Sequence, residues 1–205
     1  FVALSHTSTF FLLPFYLQGI LDFSPTQVGI TIICFSLVIV VLAPVGGWLA
    51  DRFGSRVLCT AGSTLTVLSM VGFARMGADA SLATVVTPLM LLGLGWALFQ
   101  SPNLSGMFNA VAPSHVGAVS GLSLTAANIA NATGVALGSV LFLRWLSVYG
   151  MEGVPPYTDW GRDPSIFIHS FHASWLVIAA LTGFAILTSA LRGADKRKKD
   201  KRAEQ

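Results

Sequence analysis

The sequence has 205 residues, of which 54% are hydrophobic and 10% are charged, and its formal net charge at pH 7 is +3. Soluble domains carry about 25% charged residues on average, so this composition excludes a soluble globular protein. Two cysteines do not imply a disulfide framework, and the basic residues that crowd the last fourteen positions are more typical of a lipid-surface signal than of a nucleic-acid site.

Six apolar runs predict six membrane-spanning helices, because about 20 apolar residues cross the hydrocarbon core as a helix that satisfies its own backbone. The predicted spans cover residues 1–20, 26–49, 57–75, 82–103, 116–145 and 165–191. They predict an all-α membrane protein with one six-span bundle at residues 1–192, followed by a basic tail at 193–205. Ser24, Pro25 and Gln27 form the pattern of a capping box ahead of the second span.

The basic residues also predict the orientation of the spans. The turn between spans two and three is basic, and an even number of spans places the basic tail on the same side of the membrane. Because Lys and Arg are enriched in cytoplasmic segments, both ends of this segment are expected in the cytoplasm, in a multi-pass protein of the cytoplasmic membrane.

The stretch Gly46–Arg56 joins the second and third spans and reads GGWLADRFGSR. Paired glycines allow two helices to approach closely, and a glycine after the charged pair permits a short reversal of the chain. A generic basic turn explains the arginines but neither the acid nor the glycines. The residues with this distinctive spacing are Gly47, Asp51, Arg52, Gly54 and Arg56.

This spacing resembles the signature loop of the major facilitator superfamily, which joins the second and third spans of each six-helix half. The resemblance implies a six-transmembrane-helix half of that fold. It also implies that Asp51 and Arg52 pair with a neighbouring helix end and act as a conformational switch. Val57 stands where the family often has a second basic residue.

Other segments are similar to the second half of the fourteen-span drug:proton antiporters (the EmrB/QacA-type branch). They are Leu13–Gln18, Phe23–Gly29, Val111–Pro113 and Gly117–Leu122. This chain differs from that branch at His115-Val116 and at Asn128, where an arginine is common. The similarity implies that the chain is the C-terminal half of such a transporter and that the preceding half is missing from this sequence.

Polar side chains inside a membrane usually face a cavity or a partner, so stripes of polar residues at helical spacing on one face of a span mark candidate cavity positions. In this superfamily the first, second, fourth and fifth spans of each half line the central cavity. The candidate substrate-cavity residues on these stripes are His6, Thr9, Tyr16, Trp96, Gln100, Asn103, Asn128 and Asn131.

Each of these candidates has an alternative interpretation. His6 is either a pH-sensitive cavity residue or a neutral histidine hydrogen-bonded to a carbonyl or a hydroxyl group. Gln100 and Asn128 either orient substrate or join helices through their amides. The aromatic residues near them, including Trp96 and Tyr16, either form a wall for an amphipathic ligand or face lipid.

The fifth span is rich in small residues and contains two small-xxx-small pairs. Gly117 and Gly121 form one pair, and Gly134 and Gly138 form the other. Their separation places the pairs on different faces, which predicts close packing against more than one neighbour.

Carboxylates are absent from the middle of every predicted span. Because proton-driven transporters usually use buried carboxylates, the resemblance implies that most of the proton-coupling residues lie in the missing half. The expected partners are a small-molecule substrate, protons and membrane lipids. Two histidines near the start of span six, His169 and His172, lack a third ligand, so no metal site is predicted, and no cofactor other than the proton gradient is expected.

The leading functional hypothesis is therefore proton-coupled efflux of small amphipathic compounds by alternating access. Transport of another metabolite by a different branch of the superfamily is the nearest alternative. A transporter-like sensor without turnover is a third, although the signature loop would then have no purpose. An enzyme is not expected, since the sequence contains neither a G-x-S-x-G nor an H-E-x-x-H motif.

Overall fold

The computed structural model describes residues 1–150 and 164–191, and the side chain of Asp51 is outside that description. The regular structure of the described residues is helical. Its six long helices are α1 (Val2–Gly19), α2 (Pro25–Phe53), α3 (Ser55–Phe73), α4 (Leu82–Phe108), α5 (Val116–Val148) and α6 (Pro164–Leu191), and a short 3-10 turn at Pro113–His115 precedes α5. The predicted basic tail at 193–205 and most of the predicted loop before α6 lie outside the described residues.

The helix starts follow the cues in the sequence, whereas several helix ends lie beyond the predicted spans. Ser24 caps α2 through a complete capping box, in which its hydroxyl accepts from the Gln27 N–H and its own N–H donates to the Gln27 side chain. In contrast, α2 continues four residues past position 49 and α4 five residues past position 103. Apolar content predicts the part of a helix that spans lipid, but a helix can continue into the headgroup region.

The six helices form two groups of three. Helix α1 packs mainly against α5 and α6, and α2 packs against α4, which also packs closely on α3. An extensive contact between α3 and α6 joins the two groups. At that contact the rings of Phe73 and Trp175 stack with centroids 4.8 Å apart, and neither residue is exposed.

Five of the helices in the described residues are long and apolar enough to cross a membrane. They are α2 to α6, and the chain is therefore a multi-pass membrane protein. Helix α1 falls outside this set because Ser, Thr, His and Gln interrupt its apolar residues. Several of those hydroxyl groups are fully buried in the bundle. Other parts of the protein therefore enclose α1, whereas the other helices contain exposed residues.

Candidate functional site

The signature loop is a one-residue reversal between two helices. Helix α2 ends at Phe53, helix α3 begins at Ser55, and Gly54 between them adopts a φ of +89°. A residue with a Cβ is strained at that φ, so the loop requires glycine here. The Gly54 N–H donates to the carbonyl of Ala50 at 2.8 Å, which closes the end of α2.

The two arginines of the loop, Arg52 and Arg56, lie at the surface of the bundle. The Arg52 guanidinium lies 5.6 Å from the ring centroid of Trp48 and 5.9 Å from that of Phe53, within range of a cation–π interaction. Arg56 is also exposed. The Asp51 side chain lies outside the described residues, so its pairing with a neighbouring helix end stays a prediction.

The glycine pair that precedes the loop brings α2 against α4. A Cβ on Gly46 would lie 2.9 Å from the carbonyl oxygen of Ala97, a distance that real Cβ atoms do not reach. A Cβ on Gly47 would meet only the Ser101 hydroxyl at an ordinary 3.8 Å. The predicted close approach is therefore confirmed, and Gly46 makes it rather than Gly47.

An aromatic cluster joins α1, α2 and α4. The His6 ring stacks on Trp96 with centroids 4.5 Å apart, and lies 4.9 Å from Phe35 and 4.7 Å from Phe10. Its Nε2 atom is buried and has no hydrogen-bond partner among the described residues. The expected carbonyl or hydroxyl partner is thus not found at Nε2, and aromatic rings surround the imidazole instead.

A groove of about 320 Å³ lies beside this cluster, between α2 and α4. Trp96 forms part of its wall, and Gln100, which is exposed, lies one turn further along α4. Apolar side chains from α2 and α4 complete the lining with two serines; the residues are Ile39, Ala43, Ala97, Ser101, Leu104, Ser105 and Phe108. The structure therefore brings His6, Trp96 and Gln100 to one region, and their role in a substrate cavity stays a prediction.

Asn103 lies apart from this groove, although it follows Gln100 by one turn of α4. It lines a second groove of about 530 Å³, together with Phe99 and residues from the ends of α1 and α6. The α4 residues Gln100 and Asn103, which were both predicted to line the cavity, therefore face different grooves.

The two asparagines of α5 have different environments. Asn131 is exposed, and its side-chain oxygen accepts a hydrogen bond of 2.8 Å from the Thr7 hydroxyl of α1. Asn128 is exposed one turn earlier, on the half of α5 whose residues 116–133 include none that is buried. Asn131 thus helps join two helices, and Asn128 stays on an open face.

The prediction that Thr9 and Tyr16 face the cavity is corrected by the structure. Both are fully buried within the bundle. The Thr9 hydroxyl donates to the carbonyl of Ser5 and lies near the sulfur of Met70. The Tyr16 ring stacks on Phe171 of α6, and its hydroxyl donates to the carbonyl of Gly77 in the turn between α3 and α4. These two side chains face α3 and α6, whereas His6 faces α2 and α4.

The two glycine pairs of α5 also differ. A Cβ on Gly134 would lie 2.6 Å from the Leu4 carbonyl oxygen, and one on Gly138 would contact Ser8 at 3.5 Å. Packing of this pair against α1 is confirmed. Gly117 and Gly121 have no atom of the described residues within 4 Å of a Cβ position, so their packing role stays a prediction.

Residue Phe35 belongs to the candidate site and was not predicted from the sequence. It contacts both His6 and Phe10 and is only 5% exposed. A search for polar stripes passes over it, because α2 contributes mainly apolar residues to the cluster. Its position on a span expected to line the cavity is the signal that could have identified it.

The histidines at the start of α6 bind backbone carbonyls. A His169 Nδ1 contact to the Ser165 carbonyl measures 2.6 Å, as does the contact between His172 Nε2 and the Met76 carbonyl. The part of the chain that the structure describes contains no group of three side chains able to hold a metal ion.

Membrane-spanning helices, a glycine-dependent signature loop and an open groove between α2 and α4 define a polytopic protein of the transporter class. A family profile described as the Major Facilitator Superfamily matches residues 1–205. The chain belongs to this superfamily, and its helices form part of that fold. The predicted resemblance is confirmed, and the expectation that the chain is not an enzyme agrees with its membership of a transporter family.

Three curated relatives illustrate the similarity. The riboflavin transporter RibZ of Clostridioides difficile is 34% identical over 67% of this chain and 30% of its own length. The tetracycline resistance determinant of Streptomyces rimosus is 33% identical over 75% of this chain and 45% of its own length. The tetracenomycin C resistance and export protein of Streptomyces glaucescens is 30% identical over 68% of this chain and 26% of its own length. The matched segment thus spans less than half of each of these relatives.

Proposed function

We propose that this chain is the C-terminal half of a secondary active transporter that exports small amphipathic compounds by alternating access. The observation that carries the proposal is the groove between α2 and α4, which Trp96 and Gln100 line and beside which His6 stacks on Trp96. Flat apolar rings next to an exposed amide suit a ligand with an apolar body and a few polar groups. The names of the tetracycline and tetracenomycin C relatives support this class of substrate.

The exposed face of α5 supports a second half that completes the cavity. Leu122, Leu124 and Ile129 are each more than 60% exposed, and Asn128 interrupts this apolar surface. Such a mixed face fits contact with another protein segment better than contact with lipid alone. We place that half before Phe1 in the parent protein, together with the carboxylates that carry protons.

The proton gradient is the proposed energy source, and the cytoplasmic membrane is the proposed location. Arg52 lies in the last turn of α2, and the sequence after α6 is rich in Lys and Arg. Because basic residues are enriched in cytoplasmic segments, we assign both ends of the segment to the cytoplasm. The signature loop would lie on the same side, where it can bias the equilibrium between inward-open and outward-open states.

Transport of a planar metabolite is the second candidate. The similarity to a transporter named for riboflavin favours it, and so does Trp96, an aromatic residue in the wall of the groove that suits contact with a fused ring system. The same groove would serve either substrate, so the two candidates are distinguished by a transport measurement.

The test uses everted membrane vesicles from cells that express the complete reading frame containing this chain. Ethidium and riboflavin are supplied in parallel, and uptake is followed after an inside-acid pH gradient is imposed. Gradient-dependent uptake of ethidium supports the proposal, and uptake of riboflavin alone supports the second candidate. Uptake of neither compound, in vesicles that contain the inserted protein, contradicts transport of both classes and favours the sensor alternative.

Trp96→Ala is the variant that links transport to the groove. It removes the ring that stacks on His6, and we expect ethidium uptake to fall by up to about tenfold, since aromatic contacts contribute about 0.5–1.5 kcal/mol. Phe184→Ala is the matched control, because Phe184 is an aromatic residue of α6 that is 54% exposed and lies away from the groove. Equal losses in the two variants would contradict the assignment of the groove.

A further inference from the structure

A third groove, of about 580 Å³, lies between α3 and α6 on a different side of the bundle from the proposed substrate groove. The two helices are in contact through Phe73 and Trp175, near the end of α3 and in the middle of α6. Toward the opposite end, where α3 begins and α6 ends, a groove opens between them. It therefore faces the surroundings of the bundle and not its centre.

The lining of this groove changes from polar to apolar along its length. Arg56 stands at one end and Leu65 at the other, and between them lie Thr60, Ala61 and Thr64, with Ala190 of α6 on the facing wall. From Arg56 to Leu65 the helix rises about 14 Å, which is comparable to a large part of one acyl chain. Small side chains give the groove its depth.

The threonines in the groove offer little to a polar ligand. The Thr60 hydroxyl donates to the carbonyl of Arg56, and the Thr64 hydroxyl donates to the carbonyl of Thr60, each at 2.9 Å. Their hydrogen-bonding needs are met by the helix backbone. The groove is thus an apolar channel with one cationic side chain at its mouth.

We infer that this groove binds an anionic phospholipid, with an acyl chain along Ala61, Leu65 and Ala190 and its phosphate on the guanidinium of Arg56. The guanidinium matches phosphate geometry and charge. The sequence after Leu191 also contains seven Lys and Arg residues in fourteen positions. Basic residues at the membrane surface attract anionic lipids.

The test measures lipids retained by the complete purified protein, using native mass spectrometry. Phosphatidylglycerol and phosphatidylethanolamine with matched acyl chains are supplied at equal concentration. We expect an excess of bound phosphatidylglycerol of about fivefold, the effect of one basic residue near an anionic surface. Arg56→Gln is expected to remove most of that excess, and Arg56→Lys to retain a larger part of it.

Two further variants separate the groove from general surface charge. Arg52→Gln removes a neighbouring cation that does not line the groove, and should leave the lipid preference unchanged. The double variant Ala61→Leu, Ala190→Leu fills the groove and should reduce binding of both lipids while Arg56 remains.

Three outcomes would overturn the inference. They are equal binding of the two lipids to the unmodified protein, equal loss of preference in Arg56→Gln and Arg52→Gln, and unchanged lipid binding after the groove is filled. Size-exclusion chromatography of each variant confirms that only folded protein is compared. Because the measurement does not depend on turnover, its result is separate from the test of transport.

Discussion

The contact between α3 and α4 and the first half of α5 are both rich in small residues, yet they have opposite surroundings. In the first, a Cβ on Gly62 would lie 2.6 Å from the Gly95 carbonyl oxygen, and one on Gly95 would lie 2.8 Å from the Gly62 carbonyl oxygen. In the second, a Cβ on Gly117 or Gly121 would meet no described atom of a neighbouring helix within 4 Å. Small residues therefore show that a close approach is possible, and the fold of this chain uses only some of them.

The difference has a physical reason. Helices in lipid associate through van der Waals contact and interhelical hydrogen bonds, so an approach that brings two backbones together stabilises the pair only where a partner is present. Helix α3 has α4 beside it along most of its length. The first half of α5 has no buried residue, so no helix of the described residues packs on its glycines.

The largest expected effect is at the α3–α4 contact. Gly62→Ala places a Cβ against the Gly95 carbonyl and the Phe99 amide, which are both backbone atoms and cannot rotate away. Overpacking of this kind costs about 1–3 kcal/mol, more than the roughly 0.5–1 kcal/mol that alanine gains over glycine in a helix. Unfolding of the complete protein from mixed micelles with increasing SDS measures the loss. Stability equal to that of the unmodified protein would contradict the close contact.

The second prediction compares two glycines of one helix. Gly134→Ala pushes a Cβ into the Leu4 carbonyl and should lower the free energy of unfolding, by about 1–3 kcal/mol. Gly117→Ala meets no atom of this chain and should be neutral or gain up to about 1 kcal/mol. The same SDS titration serves both variants. If Gly117→Ala is as destabilising as Gly134→Ala, the proposed second half packs directly on Gly117 and the prediction of a neutral change is wrong.

Much of this architecture could be predicted from the sequence, because its determinants are local. The length of the apolar runs predicts the helices, and Ser24 and Gln27 predict the start of α2. The spacing of glycines and charges predicts a reversal at Gly54. Each of these features depends on residues within one or two turns of each other.

The directions in which side chains point could not be predicted in the same way. Helix α1 carries apolar residues around its whole circumference, so the sequence gives no preferred face. Hydroxyl groups do not mark the cavity either, because a threonine in a helix can bond to its own backbone, as Thr9 does with the Ser5 carbonyl. Phe35 and the position of Tyr16 became evident only from the packing of helices distant in sequence.

The smallest expected effect concerns Tyr16, which distinguishes a structural role from a cavity role. Its hydroxyl donates to the Gly77 carbonyl, and His172 of α6 contacts the adjacent Met76 carbonyl, so α1 and α6 together hold the turn between α3 and α4. Tyr16→Phe removes one of these bonds and should lower the free energy of unfolding by about 1 kcal/mol, with no change in the substrate concentration at half-maximal transport. The control is His172→Leu, which should weaken the same turn by a similar amount. A Tyr16→Phe protein with unaltered stability and a changed substrate affinity would contradict the structural role. It would show that Tyr16 contacts substrate and that its hydrogen bond to Gly77 does not stabilise the contact between the two groups of helices.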